Sequence, residues 1–204
     1  MSNGNMRRIL LLIPASALVI IALVAFKLTR RYDPPVEESA SDVRPAPLFQ
    51  LYDEHSQIVR LARYLGRHKL LIVFFDGRRG PDRSPLVAEL RDRFADLHAT
   101  RAIVLAISAA RPSENRYGLN VERRKAAPAA ASPAESELRY PFPLLSDILD
   151  YEVHRRYGAF DFRAQEPLEA VFVVDRAGLI QHAHLAPYGL GDVDDWVREL
   201  EEVR

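Results

Sequence analysis

The stretch Gly77-Arg78-Arg79-Gly80-Pro81-Asp82-Arg83-Ser84 follows the apolar run Leu70 to Phe75 and leads into a helical pattern that begins at Leu86. A loop between a buried strand and a helix N-terminus is a place where the helix dipole activates a nucleophile, above all a thiol. Yet none of the 204 residues is cysteine. The thiolate is the species that attacks peroxides and disulfides, and a hydroxyl does not replace it in that chemistry. Ser84 is the hydroxyl in the loop, and no histidine and acid are spaced to activate it. Its expected role is structural: a helix N-cap, with Pro85 at the first helical position. Arg78, Arg79 and Arg83 crowd the same loop. Three guanidinium groups before a helix could cradle an anion, but a solvated basic loop is the commoner arrangement and is the expectation here.

A second chemical pattern is His182 and His184, two apart in a strand-like segment and therefore on one face. That is ligand spacing, but two ligands do not make a metal site, and His55, His68, His98 and His154 are scattered. Exposed strand histidines are expected, with no metal, no cofactor and no catalytic residue.

These residues need elements to hold them. Leu70 to Phe75 is an unbroken apolar run of the kind buried on both faces of a sheet. Leu86, Leu90, Phe94 and Leu97 recur at helical spacing, and Ala102 to Ile107 is the next buried strand. Strand, helix, strand in this order predicts a right-handed parallel crossover and an α/β domain. Before it, Pro47 to Asp53 and the segment from Ile58 predict a hairpin, with a helical turn over Leu61 to Gly66. After it, Pro112 to Arg139 is polar, then alanine- and proline-rich, and reads as an exposed insertion. Its Arg123-Arg124-Lys125 triplet lacks aromatic interleaving, so nucleic-acid binding is not expected. Tyr140 to Leu145 returns to apolar character, Tyr151 to Tyr157 predicts a helical turn closed by Gly158, and Ala170 to Val174 is a β-branched run. Asp175 to Gly178 predicts a tight turn into Leu179 to Leu185, and Val193, Trp196, Val197, Leu200 and Val203 predict a closing amphipathic helix.

Residues 9–26, from Ile9 to Phe26, carry no charge and have the length of a bilayer-spanning helix. They are expected to be an uncleaved anchor after a short tail of residues 1–8, making a single-pass membrane protein, with a cleaved signal peptide as the competing reading. Arg7 and Arg8 before it and Lys27, Arg30 and Arg31 after it nearly balance, so charge does not set orientation. The globular domain is expected on the extracytoplasmic side. Residues 27–45 read as a linker on their proline and acidic content, and 46–204 as the folded domain. The formal net charge of +0 gives no global attraction to nucleic acid.

Four segments in order resemble the redoxin group: peroxiredoxins of the alkyl hydroperoxide reductase and thiol-specific antioxidant type, with their thioredoxin-like relatives. They are Ala46 to Leu51, Leu61 to Phe75, Phe142 to Asp147 with Val153 to Gly158, and Phe172 to Gly178. The resemblance implies a thioredoxin-like mixed sheet flanked by helices. It also implies a Pro-x-x-x-Thr-x-x-Cys loop after the strand, and here Gly77, Pro81 and Ser84 stand at the proline, threonine and cysteine positions. The family's second active-site arginine falls on Glu169, which reverses the charge, and Pro167 stands two residues early for the cis-proline of the thioredoxin-like branch. The resemblance therefore implies a catalytically degenerate redoxin domain that works by binding, with a protein partner or a small anion at the old mouth. The alternative it implies is an antioxidant or oxidoreductase role exercised with a thiol-bearing partner.

Overall fold

The computed structural model describes residues 43–118 and 139–203. Ten strands lie in them: β1 (Arg44–Pro45), β2 (Gln50–Tyr52), β3 (Ile58–Arg60), β4 (Leu70–Phe75), β5 (Ile103–Ser108), β6 (Leu144–Ser146), β7 (Phe160–Asp161), β8 (Glu166–Pro167), β9 (Ala170–Val174) and β10 (Leu179–Leu185). The helices are α1 (Pro85–Asp92), α2 (Phe94–Ala99), α3 (Pro112–Tyr117), α4 (Glu152–Tyr157) and α5 (Val193–Glu202). Eight strands form one mixed sheet in the order β1-β10-β9-β4-β5-β6-β2-β3, and β7 pairs with β8 separately.

Every residue of β4 is buried, as its unbroken apolar run requires. It pairs in parallel with β5 and antiparallel with β9, and β5 pairs in parallel with β6. Alternation divides β4 between two cores. Leu70, Ile72 and Phe74 pack with Leu61, Phe172 and Tyr157 on one face, and Leu71, Val73 and Phe75 pack with Leu90, Leu97, Trp196 and Leu200 on the other. The first core is aromatic at its centre: the Phe74 ring lies 5.7 Å from Phe172, 5.2 Å from Tyr157 and 4.9 Å from His154, centroid to centroid. Trp196 is fully buried and donates its indole N–H to the Leu190 carbonyl at 2.8 Å, so its polar handle is satisfied.

Several expectations change. The single amphipathic helix over Leu86 to Leu97 is two helices, broken at Arg93, whose φ of −104° and ψ of 14° leave the helical region. The Arg93 guanidinium there bridges Asp96 at 2.6 Å and Asp194 of α5 at 2.5 Å. Proline does start α3 at Pro112, so the polar insertion opens as a helix, and its Asn115 is fully buried. Residues 119–138, with the basic triplet, lie outside the described residues. The sheet also takes in Arg44 and Pro45, which pair with Ile180 and Leu179 of β10, so the linker reading of 27–45 runs two residues too far. Among the described residues no helix is long and apolar enough to cross a membrane, and residues 9–26 lie outside them.

Candidate functional site

The loop after β4 is a compact staircase. Asp76 caps a 3-10 turn at Gly77–Arg79, accepting the Arg78 N–H at 3.0 Å, and a second 3-10 turn follows at Pro81–Arg83. Two glycines make this path. Gly77 passes so close to the end of β5 that a Cβ would lie 2.7 Å from Ser108 Cβ and 2.8 Å from Ala110 Cβ. Gly80, at φ 84°, joins the turns in a conformation that side chains resist. Ser84 then caps α1: its Oγ accepts the Val87 N–H at 3.3 Å, with Pro85 at the first helical position. Its side chain is buried and serves the helix.

Electrostatics at the loop mouth do not favour an anion. Arg78 donates Nε to Asp76 Oδ1 at 2.9 Å and Nη1 to Glu166 Oε1 at 2.9 Å, so two carboxylates on either side of the mouth hold it. Both bonds raise the Arg78 pKa above its ordinary value. Burial alone would raise the Asp76 carboxyl, but the Arg78 side-chain and backbone donors and the charges of Arg78 and Arg79 bring it below its usual range. Glu169 sits beside Asp76. Burial pushes its carboxyl up; a backbone N–H donated by Asp76 opposes the rise, and the Asp76 charge adds to it. Arg79, Asp82 and Arg83 are exposed. The expected solvated basic loop is thus corrected in one respect: Arg78 is ion-paired across the mouth. Pro167 belongs to β8, and among the described residues the cis bond is Ala186-Pro187.

Beside the loop, at the carboxyl ends of the parallel strands, lies a buried polar set that the sequence reading missed. Ser108 Oγ donates to Asn115 Oδ1 at 3.0 Å, and Asn115 Nδ2 donates to Ser146 Oγ at 3.1 Å. Asp147 and His154 form a second pair: Asp147 Oδ2 lies 2.7 Å from His154 Nδ1 and accepts the His154 backbone N–H at 2.9 Å. His154 is 0% exposed, and its Nε2 has no hydrogen-bond partner among the described residues. With Val153 and Tyr157 it fills the inward face of α4. The available signal was helical register, since residue 154 is one turn before Tyr157, on the face that must be apolar.

On the outer side of Asp147, a groove of about 530 Å³ is lined by β2 and the approach to α4, including Leu48, Tyr52, Ile148, Leu149, Glu152 and Arg156. Leu149 is 78% exposed, and Leu48, Tyr52 and Ile148 are also exposed. Asp53, Glu54 and His55 each bring a ligand atom within 4.8 Å of the others, but their oxygens have work in the fold. Asp53 Oδ1 accepts the backbone N–H groups of His55 and Gln57, and Glu54 Oε2 accepts that of Leu144. His182 and His184 are not the exposed strand histidines expected: both are half-buried and turn toward Glu199 of α5.

Residues 43–183 match the model of the AhpC/TSA family. The chain belongs to that family. Within the AhpC/TSA proteins, it is 29% identical over 145 residues to alkyl hydroperoxide reductase E of Mycobacterium tuberculosis and to that of Mycobacterium bovis, covering 71% of this chain and 84% of each relative. Among solved structures it resembles the peroxidoxin BcpB from Mycobacterium tuberculosis, with a TM-score of 0.60 and 17% identity over 81% of this chain and 99% of that one. It also resembles the mitochondrial 2-Cys peroxiredoxin from Plasmodium falciparum, with a TM-score of 0.57 and 16% identity over 78% and 90% of the two chains. The fold is the thioredoxin-like fold of peroxiredoxins, and this AhpC/TSA chain carries it without a cysteine.

Proposed function

We infer that this protein is a membrane-anchored redoxin domain that no longer performs thiol chemistry and acts by binding a protein partner. One observation carries the reading: in a cysteine-free chain, the residue at the nucleophile position, Ser84, is a buried helix cap bonded to Val87 N–H. The loop mouth supports it, because Arg78 is neutralised by Asp76 and Glu166 while Glu169 adds an acidic group, which disfavours a small anionic ligand there. The exposed apolar groove bearing Leu48, Tyr52 and Leu149 is the surface such a module offers to the apolar side chains of a partner. Residues 9–26 supply the anchor, with the domain on the extracytoplasmic side.

Similarity to alkyl hydroperoxide reductase E favours a second reading, in which the domain lends its surface to a thiol-bearing enzyme. Proximity labelling from intact membranes, with the anchor in place, separates the two. The binding reading expects a reproducible neighbour that disappears in Leu149→Glu and is not a thiol enzyme. A thiol oxidoreductase as that neighbour establishes the second reading, and labelling unchanged by Leu149→Glu removes the groove from both.

A further inference from the structure

We propose that the end of the domain opposite the Ser84 loop docks on an anionic phospholipid surface through an arginine cluster. Three chain segments meet there. Ile103 at the start of β5 donates its N–H to the Lys69 carbonyl at 2.9 Å, and Gly66 donates its own to the Arg176 carbonyl at 2.6 Å. These bonds bring the Arg67-His68-Lys69 approach to β4, Arg101 before β5 and the Asp175 to Gly178 turn after β9 to one end of the sheet. Arg67, Arg101 and Arg176 are exposed there, and none of the three guanidinium groups has a carboxylate partner among the described residues. By contrast, Arg78, Arg93, Arg156 and Arg198 each hold a carboxylate. The one acid of these segments is Asp175, and it is occupied: Oδ1 accepts the Leu179 N–H at 2.9 Å and Oδ2 accepts from Gln181 Nε2 at 2.7 Å. Lys69 Nζ donates to the Leu200 carbonyl at 2.5 Å, next to the exposed Glu201 and Glu202, so the end of α5 bounds the basic surface on one side.

The point where the chain enters the sheet selects the occupant. Arg44 and Pro45 pair with Ile180 and Leu179, and Ala46 donates its N–H to the Gly178 carbonyl at 2.8 Å, so the entry lies beside the Arg176 turn. Residues 9–26, read above as a membrane anchor, precede that entry, and the proposal rests on that reading. A domain tethered through this end meets the bilayer at high effective concentration, which turns a weak attraction into docking. A guanidinium presents paired N–H groups that match the oxygens of a phosphate, and it stays charged at any working pH. Each basic group close to an anionic surface strengthens association by about fivefold. The formal net charge of +0 gives the molecule no general attraction to anions, so docking depends on this local arrangement. The Ser84 end does not compete, because Asp76 and Glu166 neutralise Arg78 there.

Because the chain has no cysteine, one introduced thiol can be labelled uniquely. Full-length protein carrying Ala177→Cys, exposed beside Arg176, is labelled with a fluorescent donor and reconstituted into vesicles bearing a headgroup acceptor. One set is phosphatidylcholine alone and the other contains phosphatidylglycerol. Energy transfer should be higher in the anionic vesicles and should fall to the neutral level in about 1 M salt, where charges are screened beyond about 3 Å. A label at Ala164→Cys, in the exposed hairpin near Glu166, should show low transfer in both. Arg67→Gln and Arg176→Gln should each lower the docked-to-free ratio by about fivefold, and the double reversal Arg67→Glu with Arg176→Glu should reach the neutral level. Flotation with the neutral vesicles reports the anchor separately. A chain that floats only with anionic vesicles, and is released by salt and by the double reversal, sinks the anchor reading and supports the arginine surface. Equal transfer from Ala177→Cys in both vesicles, as expected if the cluster serves an acidic protein, overturns the proposal. Transfer indifferent to salt or to the double reversal, or greater transfer from Ala164→Cys, does the same.

Discussion

Asp147 illustrates how much one buried carboxylate can organise. It accepts from the His154 backbone and pairs with the His154 ring, so it fixes both the start of α4 and the imidazole that packs against Phe74. Asp147→Ala leaves two buried groups without their partner, at about 1–3 kcal/mol each, and urea denaturation should show a total loss of about 2–6 kcal/mol. Glu169 works in the opposite sense. Its folded pKa is raised, so the stability it contributes is full below the ordinary carboxylate range and is lost as pH rises through its elevated range. Glu169→Gln keeps an acceptor for the Asp76 N–H and removes the disfavoured charge. The variant should melt above the parent at pH 7, and the two curves should converge on acidification below the ordinary glutamate range; parallel curves across pH would refute this placement. Asp76, whose carboxyl is held low, stabilises above its ordinary range and loses that contribution as pH falls through its depressed one.

At the scale of elements, the loop between β4 and α1 is held by backbone geometry. Ser84→Ala removes the cap of α1 and should cost about 1 kcal/mol in chemical denaturation, with no change in any measured chemistry. Gly77→Ala should cost more, because a methyl at 2.7 Å from Ser108 Cβ forces the loop off the end of β5. The strands were legible because their signal is local: Leu70 to Phe75 and Ala170 to Val174 are apolar without interruption, the second rich in valine. Ser84 was legible for the same reason, since serine followed by proline before an apolar repeat specifies a cap. The break at Arg93 was not, and the Arg93 ion pair with Asp194 joins residues 101 apart. Nor was the turn of His182 and His184 toward α5, because a bulge leaves no mark in an alternating pattern, and their acidic neighbour comes from another element.

Taken whole, the molecule has a peroxiredoxin fold in which a mixed sheet carries a core on each face. At the carboxyl end of β4, Ser84 caps α1, the Arg78 guanidinium is bound by two carboxylates, and Glu169 lies beside Asp76. The family could be read from four ordered segments because they are scaffold segments. The Arg78 bridge to Glu166 spans 88 residues and becomes visible only in three dimensions. The central claim is that this scaffold has no peroxidase chemistry of its own. The direct measurement is hydrogen peroxide consumption by the purified full-length chain, with dithiothreitol or a thioredoxin system as reductant. The expected rate equals that of the reductant mixture alone, for the parent and for Ser84→Ala alike. Turnover above that background which is lost in Ser84→Ala would contradict the account.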